Sequence, residues 1–529
     1  MSKLAKYLNR HIVGNVFEQP SILQAYTSDR SVLQYTPRFL ALPETSDDVR
    51  RLVRFANQLA MRDFRLPITV RGTGLDKTGA AVGDGMLISM ERLSHIEEID
   101  VRGRLVRVQP GITLGCLNTA LGLHGLTLPI EANPKVTIGG LIANCLNDDL
   151  SNHYGGIFHY VEQAEVVLSS GDIVQMHPYT TRAIDAKMQT TSAEGTLYRR
   201  IEQLLDQHGD TVAERSMRPF DTAGYANVTR VRQGHTTNLL PLMFASQGTL
   251  GIVTDVILRV NLSAPDHRTM VAVLRDIKTL LRALDFIKDL EPSLARIYDM
   301  RIIDVATTQG NRPGLLEQSP DDGWLLEVTF DFRKGKTERK LQQCLGVLPP
   351  GTFAVTETTE NSVDFREFRN AVLSFLNAPS NGERIAALDD VYIPSYQLAD
   401  FVQDLQLLEE TLGIQLPLFG SFATSNYSVR PTIDCTSLAG RQLLMSFLRQ
   451  YSRIVVKHEG SLTGGSPEGR VKLLPSSQPL PETELELYRA IKQTFDPYNI
   501  LNPGVKLDIN TKDVLRHLRT TARTGLITP

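Results

Sequence analysis

Apolar positions recur at helical spacing in "TSDDVRRLVRFANQLAMRD", where Val49, Leu52, Val53, Ala56 and Leu59 share one face. Thr45, three residues before Asp48, is placed to cap its first turn. The period then shortens. "LPITV" and "GMLISM" read as strands, "IEEIDVRGRLVRVQPG" as two strands turning at Arg102-Gly103, and "TLGCLNTALGLHG" as a short helix stopped by glycine. "VEQAEVVLSSGDIVQM" reads as a hairpin through a Gly-Asp turn. Past Val260, "TMVAVLRD", "IKTLLRALDFIKDLE" and "LARIYDMRII" give strand, helix, strand, and "GWLLEVTFDF", "KTERKLQQCLGVL" and "TFAVTET" repeat the order. Two such units predict an antiparallel sheet with helices on one face. "NGERIAALDDVYIP" and "PLFGSFATSNYSVRPTID" add strands. "ELELYRAIKQTFDPYNILNPGVKL" reads as a helix and a docked segment, and residues 509–529 as a surface tail. Short strands mixed with helices predict an α+β fold rather than a doubly wound parallel sheet.

Composition narrows the function. The 529 residues suffice for several domains, and a net charge of −3 gives no reason to expect nucleic acid. Apolar stretches such as "MLISM" and "LIANCL" are too short to span a bilayer, so no transmembrane segment is expected. "MSKLAKYLNRHIVGN" has no apolar core of signal-peptide length, which predicts a cytoplasmic protein. The four cysteines (Cys116, Cys145, Cys344, Cys435) form no CxxC pair, which argues against a disulfide framework, a zinc ribbon or an iron–sulfur cluster.

Three glycine-bearing stretches hold the candidate chemistry. "RGTGLDKTGA" follows the strand "LPITV". Its Gly72, Gly74 and Gly79 allow positive φ and close approach, so backbone N–H groups can converge on an anion. A strand follows rather than a helix, so this is not the dinucleotide fingerprint. "PKVTIGGLIAN" offers Thr137, Gly139 and Gly140. "SQGTLGIVTDVILRV" offers Gln247, Gly248 and Gly251 ahead of an apolar strand containing Ile252 and Val253. Each alone also reads as a tight turn.

Together with their flanks, from "YTSDRSVLQYTPRFLALPETSDDVRRLV" through "ILNPGVK", these stretches resemble the flavin-binding oxidases and dehydrogenases of the vanillyl-alcohol oxidase type. The branch they resemble holds the D-lactate, glycolate and D-2-hydroxyglutarate dehydrogenases. The resemblance implies that Arg71, Gly72, Thr73, Gly74, Leu75 and Gly79 wrap an FAD pyrophosphate. It implies that Thr137, Gly139, Gly140, Tyr154 and Gly155 line the cofactor from neighbouring strands, with Gln247, Gly248, Gly251, Ile252 and Val253 near the flavin and adenine. Asn502 stands at the matching asparagine of the C-terminal return. Leu75 occupies the position that bears histidine in covalent relatives, so non-covalent FAD is expected. Where relatives read roughly "GGMIATNAGG", this chain has "GGLIANCLNDD", and the carboxylates of Asp148 and Asp149 are expected to point to water. The implied division is a lead-in (1–35), a two-subdomain FAD-binding domain (36–262), a substrate-binding cap (263–480), a flavin-contacting segment (481–508) and a tail (509–529).

The substrate side departs from the family. Relatives read roughly "FGHxGDGNLHVRP" and "GEHGIGR", whose histidines and glutamate hold a metal and remove a proton. Here the stretches are "FGSFATSNYSVRP" and "GGSPEGR", with Ser421, Ser428, Gly465 and Ser466 at those positions. Serine is a poor ligand beside imidazole or carboxylate, so no metal site is expected. No base is assigned. Asn426, Tyr427 and His153 are the candidates, with His159 near the last, while His458 reads as solvent-facing or structural. Arg369 falls at the carboxylate-binding arginine of relatives, and Arg384 is a second candidate for the same anion. The expected function is FAD-dependent oxidation of a 2-hydroxy acid or related alcohol. The alternative is a catalytically silent FAD-binding scaffold. The expected partners are a small-molecule substrate and an electron acceptor, with homo-oligomerisation left open.

Overall fold

Thr45 caps the helix Ser46–Ala60 by accepting from the Asp48 N–H at 3.1 Å, and Val49, Leu52, Val53 and Ala56 are buried beneath it. In the computed structural model, which describes residues 2–218, 221–263, 266–306, 313–333, 335–377, 385–474 and 480–519, that helix packs on a four-stranded sheet. Strand Met86–Ser89 lies parallel to both Phe39–Leu42 and Ile68–Arg71, and Asn15–Phe17 forms one edge. A second, five-stranded antiparallel sheet is built from the two expected hairpins around Ile252–Arg259. Every second residue of that central strand is buried (Ile252, Thr254, Val256, Leu258), as a sheet covered on one face requires.

The second half is one antiparallel sheet of seven strands, built on His267–Leu274, Leu294–Asp299, Trp324–Asp331 and the hairpin Leu418–Ser421/Asn426–Val429. The expected single layer of helices is incomplete. Helices Ile277–Ile287, Leu398–Leu412 and Leu438–Lys457 cover one face. On the other, Ile302 and Ile303 of helix Met300–Ala306 and Phe365, Phe368 and Val372 of helix Ser362–Asn377 pack on Val271, Val273 and Leu325. A strand whose alternate residues are apolar on both sides has to be covered twice.

Two further expectations are corrected. "TIGGLIAN" is not a tight turn but the helix Ile138–Asn144, capped by Thr137, which accepts from the Gly140 N–H at 3.1 Å. The C-terminal stretch is not wholly a surface tail. Val514 and Leu518 of residues 511–518 are buried, and Arg519 donates to the carbonyl of Leu33. Residues 520–529 lie outside the described region. The helix Glu482–Phe495 and the segment after it dock as expected, the Ile68 N–H donating to the Ile500 carbonyl at 2.7 Å.

Candidate functional site

Where strand Ile68–Arg71 ends, the chain turns into a loop that lines a cavity. Among the described residues, the N–H groups of residues 72–77 donate to no protein acceptor. A run of unpaired amides at the wall of a cavity is an anion cradle. Gly74 holds φ at +72°, where any other residue is strained, and a Cβ there would stand 2.1 Å from Arg71 Nη2 and displace that guanidinium. The loop's shape is fixed from behind. The Asp76 carboxylate accepts from the N–H groups of Thr78 (3.0 Å) and Ala80 (2.8 Å), while burial and the neighbouring Asp29 push its pKa up to about 6.

Four distant pieces of chain are stitched to this loop. Gln247 donates to Thr78 Oγ1 (2.9 Å) and Asn144 (3.1 Å) and accepts from the Gly469 N–H (2.9 Å). Asn502 donates to the carbonyls of Ala80 (2.9 Å) and Gln247 (2.8 Å). Arg470, buried, donates to the carbonyls of Gly79, Val82 and Pro503.

The loop opens on a cavity of about 350 Å³ between the two halves of the molecule. Of the residues expected at the cofactor, Gly72, Thr73, Gly74, Leu75, Thr137, Gly139, Gly140, Gln247, Gly248, Gly251, Ile252 and Val253 line it. Arg71, Gly79 and Asn502 stand behind the lining. Tyr154 and Gly155 are not in the wall, because the Tyr154 hydroxyl turns to Asp331 at 2.5 Å.

The cap closes the cavity with Arg296, Tyr298, Phe419, Asn426, Ser428, Arg430, Asp390 and Ser466. Strand alternation decides which of the expected residues take part. Asn426 and Ser428 face the cavity, whereas Tyr427 between them points into the cap's core, fully buried and with its hydroxyl unpartnered. Burial raises its pKa far above the ordinary value, so Tyr427 is no base. Asn426 donates to the Asn147 carbonyl at 3.4 Å, and its buried Oδ1 has no partner.

Arg369 is not brought to the cavity. It is absent from the cavity wall and pairs with Glu357 at 3.0 Å, on the face of the cap sheet that helix Ser362–Asn377 covers. Arg430 is there instead, bound through Nη1 to buried Asp389, which Lys77 also approaches at 2.8 Å. Burial opposes ionisation of Asp389, but the two cations outweigh it and hold its pKa below the ordinary value. Arg384 lies outside the described residues. His153 sits near Asp331 (3.6 Å), away from the lining, and His458 is buried between Asp404 (2.7 Å) and Gln397 (3.0 Å), a structural place.

Of the acidic pair, Asp148 does not point to water, and Asp149 is partly exposed and ion-paired. Asp149 lines the cavity and binds Arg296, which also reaches Glu131 (3.2 Å) and Glu327 (3.8 Å). Asp148 is buried, accepting from the N–H groups of Glu131 (3.1 Å) and Leu150 (2.9 Å), and burial raises its pKa to about 7. A carboxyl whose folded pKa is raised destabilises the fold increasingly as pH climbs from the unfolded value to the folded one. Asp148→Asn is therefore expected to stabilise the protein more at pH 8 than at pH 5, by a difference on the order of 2 kcal/mol. Thermal melts at both pH values check this.

Among the described residues no group of three or more histidine, cysteine, aspartate or glutamate side chains is placed to hold a metal ion. Gly465 leaves no room for the family's glutamate, since a Cβ there would lie 2.8 Å from Asp390 Cβ and 3.1 Å from Asn426 Cγ.

A loop of unpaired amides, glycine where a side chain would collide, and a cavity roofed by a second sheet define a nucleotide-cofactor protein with a separate substrate-facing cap. Residues 37–177 match the family profile described as an FAD binding domain, and residues 264–505 that of the C-terminal domain of FAD linked oxidases. The chain belongs to this family of FAD-linked oxidases and dehydrogenases, and its cofactor is FAD. It is 24% identical over 503 residues to a D-2-hydroxyglutarate dehydrogenase of Pantoea ananatis, covering 90% of this chain and 48% of that protein. It is 23% identical over 492 residues to a D-lactate dehydrogenase of Archaeoglobus fulgidus, covering 91% and 95%. The chain thus spans about half the length of the D-2-hydroxyglutarate dehydrogenases it matches. In fold it is similar to 4-ethylphenol oxidase from Gulosibacter chungangensis, with a TM-score of 0.66 at 14% identity over 94% of this chain and 95% of that one. No described helix is long and apolar enough to cross a membrane.

Proposed function

We propose that the chain is an FAD-dependent oxidoreductase that oxidises a 2-hydroxy acid of the D-lactate, glycolate or D-2-hydroxyglutarate kind, and that it does so without a metal ion. The loop of residues 72–77 holds the pyrophosphate through its amides, and bound FAD supplies the two-electron acceptor for a hydride. The observation that carries the substrate reading is the arrangement at Arg430. Only its Nη1 hydrogen-bonds among the described residues, so the Nε and Nη2 edge of the guanidinium is open to a carboxylate, in the two-pronged geometry arginine favours. Asn426 Oδ1, buried and unpartnered on the same wall, can accept from a substrate hydroxyl. The curated relatives, a D-2-hydroxyglutarate and a D-lactate dehydrogenase among them, support the same substrate class.

The test is anaerobic mixing of the holoprotein with a panel of D-2-hydroxy acids, following loss of the flavin's visible absorbance and appearance of the 2-keto acid. Bleaching by at least one acid, abolished by Arg430→Met, supports the reading. A flavin that no acid reduces would instead describe a silent FAD-binding scaffold.

With Leu75 in the cradle and no histidine among the described residues of the cavity wall, FAD is held without a covalent bond. Acid precipitation is expected to release all of the yellow colour into the supernatant. Flavin that stays on the denatured polypeptide contradicts this.

A further inference from the structure

Removal of a hydride from an alcohol carbon requires that the hydroxyl also lose its proton. None of the described histidines lines the cavity, so the group that accepts this proton has to be sought elsewhere. Ser466 stands in the wall, at the position of the family's histidine. Directly behind it lies Lys472, 4% exposed, whose Nζ is 2.8 Å from Ser466 Oγ, 2.9 Å from the Ser466 carbonyl and 2.7 Å from the Leu462 carbonyl.

These three partners suit either protonation state of the amine. A neutral lysine has two N–H bonds and one lone pair. The two carbonyls can only accept, so they take the N–H bonds, and the lone pair faces the one partner that can donate, the serine hydroxyl. An ammonium donates to all three. Nothing has to move when the proton arrives. The segment is held in place, since the Gly465 N–H donates to the Asp390 carbonyl at 2.9 Å and the Lys472 N–H to the Glu468 carbonyl at 3.1 Å.

We propose that Ser466 and Lys472 form the proton-accepting relay of this enzyme, in place of the missing imidazole and metal. The inference rests on the hydroxy-acid reading above. As the C–H pair leaves as hydride for the flavin, the substrate O–H bond breaks. Its proton passes to Ser466 Oγ while the serine's own proton passes to Lys472 Nζ, leaving a carbonyl product and an ammonium that later returns its proton to solvent. Ser466 touches the substrate, and Lys472 acts through it. Burial lowers the lysine pKa to about 8, against the opposing pull of Asp390, Asp389 and Glu468 and with the help of Lys77, so the neutral form is within reach near neutrality.

The test is the pH profile of anaerobic flavin reduction. The wild-type rate is expected to rise with pH to a plateau, with a midpoint near 8. Lys472→Arg keeps the charge but does not titrate, and should lose that limb and at least about 100-fold in rate with its FAD content unchanged. Ser466→Ala should lose at least about tenfold, and Ser466→Thr should recover most of it. A Lys472→Arg protein that matches wild type in rate and profile overturns the relay. A wild-type flavin that no hydroxy acid reduces overturns the substrate reading instead. In that case lysine-selective 13Cε NMR of the holoprotein decides the pair. A resonance missing from Lys472→Arg that titrates near pH 8, and moves in Ser466→Ala, supports the relay. One that stays protonated to pH 10 rejects it.

Discussion

Arg470→Ala is expected to lose most of its FAD and about 3–5 kcal/mol of stability. The side chain is buried and makes hydrogen bonds to the carbonyls of Gly79, Val82 (2.8 Å) and Pro503 (3.2 Å) and to Asn502 Oδ1 (3.4 Å), with its guanidinium over the Tyr35 ring. Truncation takes the donor from the three carbonyls, while Asn502 Oδ1 keeps the Thr69 hydroxyl at 3.2 Å. Each buried unsatisfied group costs about 1–3 kcal/mol, less whatever water enters the space. The carbonyls of Gly79 and Val82 follow the loop of residues 72–77, so the loss is felt at the loop proposed to hold the FAD pyrophosphate. About 1.4 kcal/mol of lost loop order already weakens retention tenfold. The flavin-to-protein absorbance ratio after dialysis and the denaturant midpoint of the apoprotein measure the two effects. Arg470→Lys should fall between, because one ammonium cannot span the reach of a planar five-donor group. An Arg470→Ala protein with full FAD and an unchanged midpoint would show that the loop is held by other means.

Arg296→Ala is expected to destabilise the protein by about 3–5 kcal/mol at pH 8 and by clearly less at pH 5. Arg296 ion-pairs with Asp149, Glu131 and Glu327, and Glu327 is 3% exposed. Burial already raises the Glu327 pKa, and Arg296 is the main cause acting the other way. Without it the folded-state pKa climbs further, and a raised carboxyl pKa means that stability falls as pH rises. Acid restores part of the loss by protonating Glu327. Thermal melts at the two pH values test the sign. Glu327→Gln in the same chain should recover part of the loss at pH 8, since the Tyr298 hydroxyl, 2.9 Å from Glu327, keeps an oxygen to donate to. Equal losses at both pH values would contradict this.

Periodicity carried the reading of the sequence where one face of an element decides its place. The helix over residues 46–60, the hairpins and the repeated strand–helix–strand units lie where the pattern puts them. It was misleading at "TIGGLIAN", whose two glycines depress helix propensity. The helix forms because Thr137 caps it and Ile138, Leu141 and Ile142 pack beneath. The residues after 509 were equally opaque, with two apolar side chains, Val514 and Leu518, doing the docking. The cradle was legible from glycine spacing and family resemblance together.

The substrate side was harder. Nothing in the spacing separates Arg369, bound to Glu357, from Arg430, which lines the cavity bound to Asp389, because that difference is made by where the tertiary fold brings each along the cap. Tyr427 could have been excluded from the alternation of the strand alone. Lys472 was invisible in the sequence, since its role depends on a turn that folds it back onto Ser466.

On the reading proposed for the site, this flavoprotein oxidises its hydroxy acid without a metal. The direct measurement is the rate of anaerobic flavin reduction in holoprotein dialysed against EDTA, compared with the same protein supplemented with zinc or manganese, with metal content read by elemental analysis. Substitution of the ligand positions by Ser421, Ser428, Gly465 and Ser466 predicts rates equal within about twofold and no stoichiometric metal. A bound divalent ion, lost together with flavin reduction and restored with it, would contradict the account.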